Sequence, residues 1–134
     1  MILDTSAVTA ILCGEPDTDR YIAAIEEADR LAIGAPTLVE CGIVAQAKLG
    51  EHGPADLDNF LRRLHVEVVP FGEYEASVAR YAFHAFGKGR HSAGLNFGDC
   101  LSYAMAGTYN DVLLYKGDDF SRTPVRSALN RSDE

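Results

Sequence analysis

The sequence predicts an α/β fold: a mainly parallel sheet covered by helices on both faces. Three observations lead there. Short apolar runs of strand type alternate with stretches of helical spacing along the chain. No repeat, low-complexity block or linker interrupts that alternation. At 134 residues, the chain has room for one domain with one core, spanning 1–134, and not for two ordinary domains.

The elements follow in order. MIL reads as a first short strand, and Ser6 is placed to cap a helix carrying Ala7 to Leu12, stopped by Gly14. Pro16 suits the first turn of a second helix with Tyr21, Ile22, Ile25 and Ala28 at helical spacing. LAIG (31–34) is the next strand. Pro36 opens a helix through Leu49 that Gly50 and Gly53 end, and Pro54 starts another with Leu57, Phe60, Leu61 and Leu64 on one face. VEVVP (66–70) is β-branched and reads as a strand. A helix from about Glu73 to Phe86 gives way to GKGRHSAG, then FGDCLSYAMAG forms a helix of small and apolar residues. DVLLY (111–115) is the last clear strand. The polar tail from about Ser127 is expected to fray.

Composition narrows the function classes. The chain is 47% hydrophobic and 24% charged, as expected of a globular protein. It has neither the charged-then-apolar start of a secretory signal nor an apolar run near the ~20 residues that span a bilayer, so a cytoplasmic location without membrane association is expected. Cys13, Cys41 and Cys100 lack metal-ligand spacing and read as free thiols packed as small hydrophobes. The four histidines also lack ligand spacing, and Tyr81, Phe83 and Phe86 read as core or dimer surface. The net charge of −8 argues against a surface built for broad nucleic-acid binding, unless a bound cation offsets a carboxylate cluster.

Such a cluster is what the topology predicts. In an open parallel sheet, chemistry sits beyond the carboxyl ends of the strands. Asp4 follows the first strand directly, and Asp118 and Asp119 follow the last, so both sites share one edge. Glu40 lies on a helix whose i+3, i+4 and i+7 neighbours are Ile43, Val44 and Ala47, a costly place for a carboxylate without a partner or cation. Its plainer explanations are a buried Arg or Lys, or an edge position. Asp99 suits the dipole of its helix's first turn, and its i+4 and i+7 neighbours, Tyr103 and Ala106, turn it inward. Clustered like charges destabilise one another without a cation, and all-oxygen ligands favour Mg²⁺ or Mn²⁺. One or two such ions at this site would suit metal-dependent phosphodiester hydrolysis.

MILDTSAV, PTLVE, GLNFGDC and LLYKGDDF, in this order and spacing, resemble the PIN-domain ribonucleases, most closely VapC-type toxins of toxin–antitoxin pairs. The likeness covers nearly the whole chain. It implies a three-layer α/β/α sandwich with a central, mainly parallel sheet of four to five strands. It also implies Mg²⁺- or Mn²⁺-dependent endoribonuclease activity, homodimerisation, and neutralisation by a VapB-type antitoxin. By position, Asp4, Glu40 and Asp99 match the family's core acidic residues. After the last strand many relatives have Thr-x-Asp, whereas this chain has Tyr115-Lys116-Gly117 before two aspartates; Asp118 is preferred over Asp119 as the fourth. Thr5 or Ser6, and Asn96, match positions that orient the first aspartate and metal-bound water. Lys88, Arg90 and Lys116 are candidates to grip RNA phosphates at the rim.

Two other readings remain open. Haloacid-dehalogenase-type phosphohydrolases also place an aspartate after the first strand, but they need a second two residues later, where this chain has Ser6, and have no counterpart of Glu40. A catalytically weak PIN domain acting mainly in partner binding would retain the same acidic positions.

Overall fold

The single core expected from length is two, one on each face of the sheet, and along the strands side chains alternate between them. Leu3, Ile33 and Leu114 enter one, with Val8, Cys41 and Leu57; Ile2, Val69 and Leu113 enter the other, with Leu95, Met105 and Phe120. This is the period-two signature of strands buried on both faces. The computed structural model describes residues 1–129. Its strands are β1 (Ile2–Leu3), β2 (Ala32–Gly34), β3 (Glu67–Val69) and β4 (Leu113–Leu114). They pair in parallel in the order β3-β2-β1-β4, with Ile2 opposite both Ala32 and Leu113.

The helices are α1 (Thr5–Leu12), α2 (Asp19–Glu27), α3 (Ala35–Leu49), α4 (Gly53–Arg63), α5 (Glu73–Phe86) and α6 (Phe97–Tyr109), with a 3₁₀ turn at Gly50–His52. Residues of α1 to α4 pack in the first core and those of α5 and α6 in the second, giving the expected α/β/α layers. The chain steps outward from β1 to β2 to β3, then returns to pair β4 on the other side of β1. Between β1 and β4 the winding therefore reverses, and a crevice opens at the carboxyl edge of the sheet.

Three local expectations are corrected. The cap of α1 is Asp4, not Ser6: its side chain accepts the Ser6 N–H. A carboxylate at the end of β1 is thus also the helix cap. The second helix begins at Asp19 rather than at Pro16, because Asp17 adopts a left-handed backbone (φ 69°) that interrupts it. The residues after Arg126 do not fray where they are described: Ser127 bridges Leu113 in parallel, the Leu113 and Ala128 amides donate to Arg126 and Leu113 carbonyls, and Ala128 is buried. This segment satisfies the outer edge of β4, which would otherwise leave backbone groups unpaired. The remainder of the expected tail, 130–134, lies outside the described residues.

The thiols behave as expected. All three cysteines are free, with Cys41 and Cys100 buried, and burial pushes the Cys41 thiol up to about 12. No helix among the described residues is long and apolar enough to cross a membrane.

Candidate active site

At the carboxyl edge of β1, Asp4 is 4% exposed and its carboxylate is held on both oxygens. Its Oδ2 accepts the Ser6 backbone N–H at 3.0 Å and the Ser6 hydroxyl at 2.5 Å. Its Oδ1 accepts the hydroxyl of Ser102, from the middle of α6, at 2.5 Å. Ser6 Oγ in turn accepts the backbone N–H of Lys116, just past β4, at 2.9 Å. Three segments distant in sequence therefore meet at one carboxylate.

Asp99 is set by the first turn of α6. Asn96 caps that helix: its side chain accepts the Asp99 N–H at 2.9 Å, while the Asn96 N–H donates to Asp99 Oδ2 at 3.0 Å. The reciprocal capping box leaves the second carboxylate oxygen uncommitted to the cap. Burial pushes the Asp99 carboxyl up to about 7; the Asn96 N–H opposes that rise, and the Asp119 and Asp4 charges add to it. Asp119 lies within hydrogen-bonding reach of Asp99. Asp118, preferred from sequence, instead uses its backbone carbonyl to accept the Ser121 N–H and hydroxyl. Of the pair after β4, it is the second aspartate, Asp119, whose charge bears on Asp99.

Glu40 enters from the first turns of α3. The buried stripe of that helix is Thr37, Cys41 and Ala45, and Ile43 is exposed. Glu40 therefore sits at the edge of the stripe rather than on it, and among the described residues no buried Arg or Lys neutralises it. Its Oε1 accepts the Thr5 hydroxyl, and its carboxylate rests on Gly98 of α6. A Cβ at Gly98 would overlap Glu40 Oε2 and stand 3.0 Å from Oε1. Neither Ser102 nor Gly98 stands out from sequence. The available signal for Ser102 is a hydroxyl on the inward side of a helix of small and apolar residues.

The N-terminal parts of α1, α3 and α6 thus bring Asp4, Glu40 and Asp99 to one edge, with Asp119 supplied by the loop after β4. Among the described residues, no three His, Cys, Asp or Glu side chains stand together as a ready-made ligand set.

The PIN domain family model matches residues 1–126. The chain belongs to the PIN-domain family. It is 42% identical over 125 residues to Ribonuclease VapC30 of Mycobacterium tuberculosis, covering 93% of this chain and 95% of that protein. With Ribonuclease VapC28 of the same organism it shares 44% identity over 132 residues, covering 98% and 99% of the two chains. Its fold resembles that of M. tuberculosis VapC20, described as a Sarcin-Ricin loop cleaving toxin, with a TM-score of 0.76 at 14% identity over 92% of this chain and 95% of that one. It also resembles VapBC2 of Rickettsia felis, solved bound to a promoter DNA fragment, with a TM-score of 0.69 at 20% identity over 94% of each chain.

In this PIN domain the basic rim residues differ in availability. The Lys116 ammonium pairs with Glu15 at 2.8 Å. The Arg90 guanidinium is turned back on His84, donating to its carbonyl at 2.9 Å. Lys88 is exposed on the loop between α5 and α6, which Lys88 and Leu95 amides tie back to Leu95 and Phe86 carbonyls. Tyr81 and Phe83 are exposed on α5 rather than in the core, and Phe86 packs against the second core.

Two expected results arise here. Gly98→Ala should displace the Glu40 carboxylate and, where Glu40 takes part in the reaction, cut RNA cleavage at least about tenfold. Its melting temperature should stay within a few degrees, because what must move is the end of a flexible glutamate; parallel cleavage and melting assays check both. The second concerns pH. The folded Asp99 carboxyl sits near 7 against 3.8 for the free group, so its protonation stabilises the fold. That stabilisation is complete below about pH 4 and is lost as pH rises through about 7. In EDTA, melting temperature should therefore fall between pH 5 and 8 by at least ~3 °C. Asp99→Asn should flatten that slope.

Proposed function

We propose that this PIN domain, taking 1–134 as one unit, is a Mg²⁺- or Mn²⁺-dependent endoribonuclease toxin of the cytoplasm, neutralised by a VapB-type antitoxin. The observation that carries the reading is the convergence of Asp4, Glu40, Asp99 and Asp119 at the β1–β4 switch point. The donor set fits a hard divalent cation: it is all carboxylate, and Asp99 already bears the cost of two carboxylate neighbours. Mg²⁺ commonly takes only one or two carboxylates and keeps several waters, so it needs no closed protein cage.

Asp4 and Asp99 would hold the ion, with Asp119 beside Asp99. A cation there supplies charge neutralisation and water activation for phosphodiester hydrolysis. The chain's own contribution is orientation. Ser6 and Ser102 hold Asp4, Asn96 holds Asp99, and Thr5 holds Glu40 next to the N-terminus of α6. Glu40, kept off the helix caps, would bind the ion directly or through water and receive the proton of the attacking water. No side chain needs to act as a covalent nucleophile. Lys88 is the readiest of the three rim cations for an RNA phosphate; Arg90 and Lys116 would first have to release His84 and Glu15.

Exposed apolar side chains border this acidic mouth and support a protein partner. Val39 and Ile43 lie a helical turn apart beside Glu40, and Phe97 adjoins Gly98. Tyr81 and Phe83, both exposed on α5, would each gain burial in a homodimer that covers their part of the helix. The test is cleavage of RNA by the purified chain with Mn²⁺ or Mg²⁺, with EDTA, and with a cognate antitoxin. Cleavage that EDTA and the antitoxin each abolish supports the reading. Undiminished cleavage in EDTA overturns the metal site, and tight antitoxin binding without cleavage of any RNA favours the binding-only alternative.

A further inference from the structure

We propose that Ser102 is a positioning residue that fixes the rotamer of Asp4 and thereby sets the affinity of the site for its cation. The inference rests on the metal-dependent reading above and assigns a role to a residue outside the acidic set. Ser102 lies in the middle of α6 and is 1% exposed. Its helix neighbours Leu101, Ala104 and Met105 are all buried and apolar. A serine there is a poorer helix former than alanine, and a buried hydroxyl is costly unless hydrogen-bonded. Serines inside helices commonly turn back on a carbonyl one turn earlier. This one instead donates to Asp4 Oδ1 at 2.5 Å, across 98 residues of sequence.

The other Asp4 oxygen is held from a different direction. Ser6 donates to Oδ2 through both N–H and O–H, and Ser6 Oγ accepts the Lys116 N–H. The carboxylate cannot rotate without giving up a partner on one side or the other. Ser102 is therefore the strut from α6, and Ser6 the strut that also ties in the loop carrying Asp119. A carboxylate held in one orientation loses less freedom when it binds a cation, and partners of metal ligands commonly change affinity by ~10–100-fold when removed.

The experiment uses the full chain with Ser102→Ala, Ser102→Thr, Asp4→Ala and the Asp4→Ala/Ser102→Ala double variant. Mn²⁺ binding is titrated by calorimetry, and urea unfolding is followed in EDTA. Ser102→Ala should weaken Mn²⁺ binding by about tenfold or more, and Ser102→Thr, which keeps the hydroxyl, should restore most of it. In EDTA, Ser102→Ala should lower the folding equilibrium constant several-fold in the natural chain but not in the Asp4→Ala background, since the interaction it removes is then already gone. Unchanged Mn²⁺ affinity in Ser102→Ala, or equal destabilisation in both backgrounds, overturns the proposal. A natural chain that binds no Mn²⁺ overturns the metal reading of the site instead. The metal-free cycle then still decides whether Ser102 acts through Asp4, and it does so even where Ser102→Thr fails to fold.

Discussion

Replacing Asp4 or Asp99 with asparagine should lower Mn²⁺-dependent RNA cleavage by at least about a hundredfold, a loss of ~2.7 kcal/mol in transition-state stabilisation. Each change keeps the side chain's shape and removes one unit of negative charge from a hard-ligand site. The two variants differ in how the fold responds. In Asp4→Asn, an amide group faces donors from Ser6 and Ser102, so one hydrogen bond is lost or must be reversed. In Asp99→Asn, a buried carboxyl raised to about 7 is replaced by a neutral group, relieving its repulsion with Asp119 and Asp4. Asp99→Asn should therefore be at least as stable as the natural chain in EDTA at pH 8 while being nearly inactive. Cleavage rates measured alongside urea midpoints check this. Activity and stability falling together in Asp99→Asn would mean that the carboxylate serves the fold rather than the reaction.

Phe120→Ala should cost about 3–5 kcal/mol in urea unfolding, a large part of a typical domain's stability. Phe120 heads the largest fully buried side chains of the described residues, and its ring lies 4.9 Å from that of Tyr115. It joins the second core alongside Leu113, Leu95 and Met105. Removing the ring leaves a cavity that those side chains can only partly fill. The site suffers too, because Asp119 immediately precedes this anchor and Thr123 closes the turn by donating to the Phe120 carbonyl at 2.7 Å. Mn²⁺ affinity should therefore fall even at low temperature, where the variant is still folded. Phe120→Leu, which refills much of the space, should recover much of both losses.

Asp4 and Asp99 were legible from sequence because their positions follow from local rules. A residue directly after a parallel strand sits at the carboxyl edge, and an aspartate in the first turn of a helix suits its dipole; the Asn96 capping box that holds Asp99 came from the structure. Glu40 was legible for a partly mistaken reason. Ile43, counted as a core neighbour, is exposed, and Glu40 is engaged by Thr5 and Gly98 rather than buried on a stripe. Between Asp118 and Asp119, spacing alone offered no means of choosing, since the direction of each side chain depends on the turn that Phe120 anchors.

What the sequence by itself determined is the alternation of strands and helices, the edge on which the acidic residues gather, and membership in the PIN-domain pattern. The first two follow from periodicities and caps that act within a few residues, and the third from a likeness of ordered motifs along the chain. Tertiary structure alone decided the contacts between segments far apart: Ser102 with Asp4, Gly98 with Glu40, Ser6 with Lys116, and residues 126–128 on the outer edge of β4. Each depends on how α6 and β4 sit against β1. Side-chain reach across packed elements sets those distances to within an ångström, and no local spacing rule carries that information.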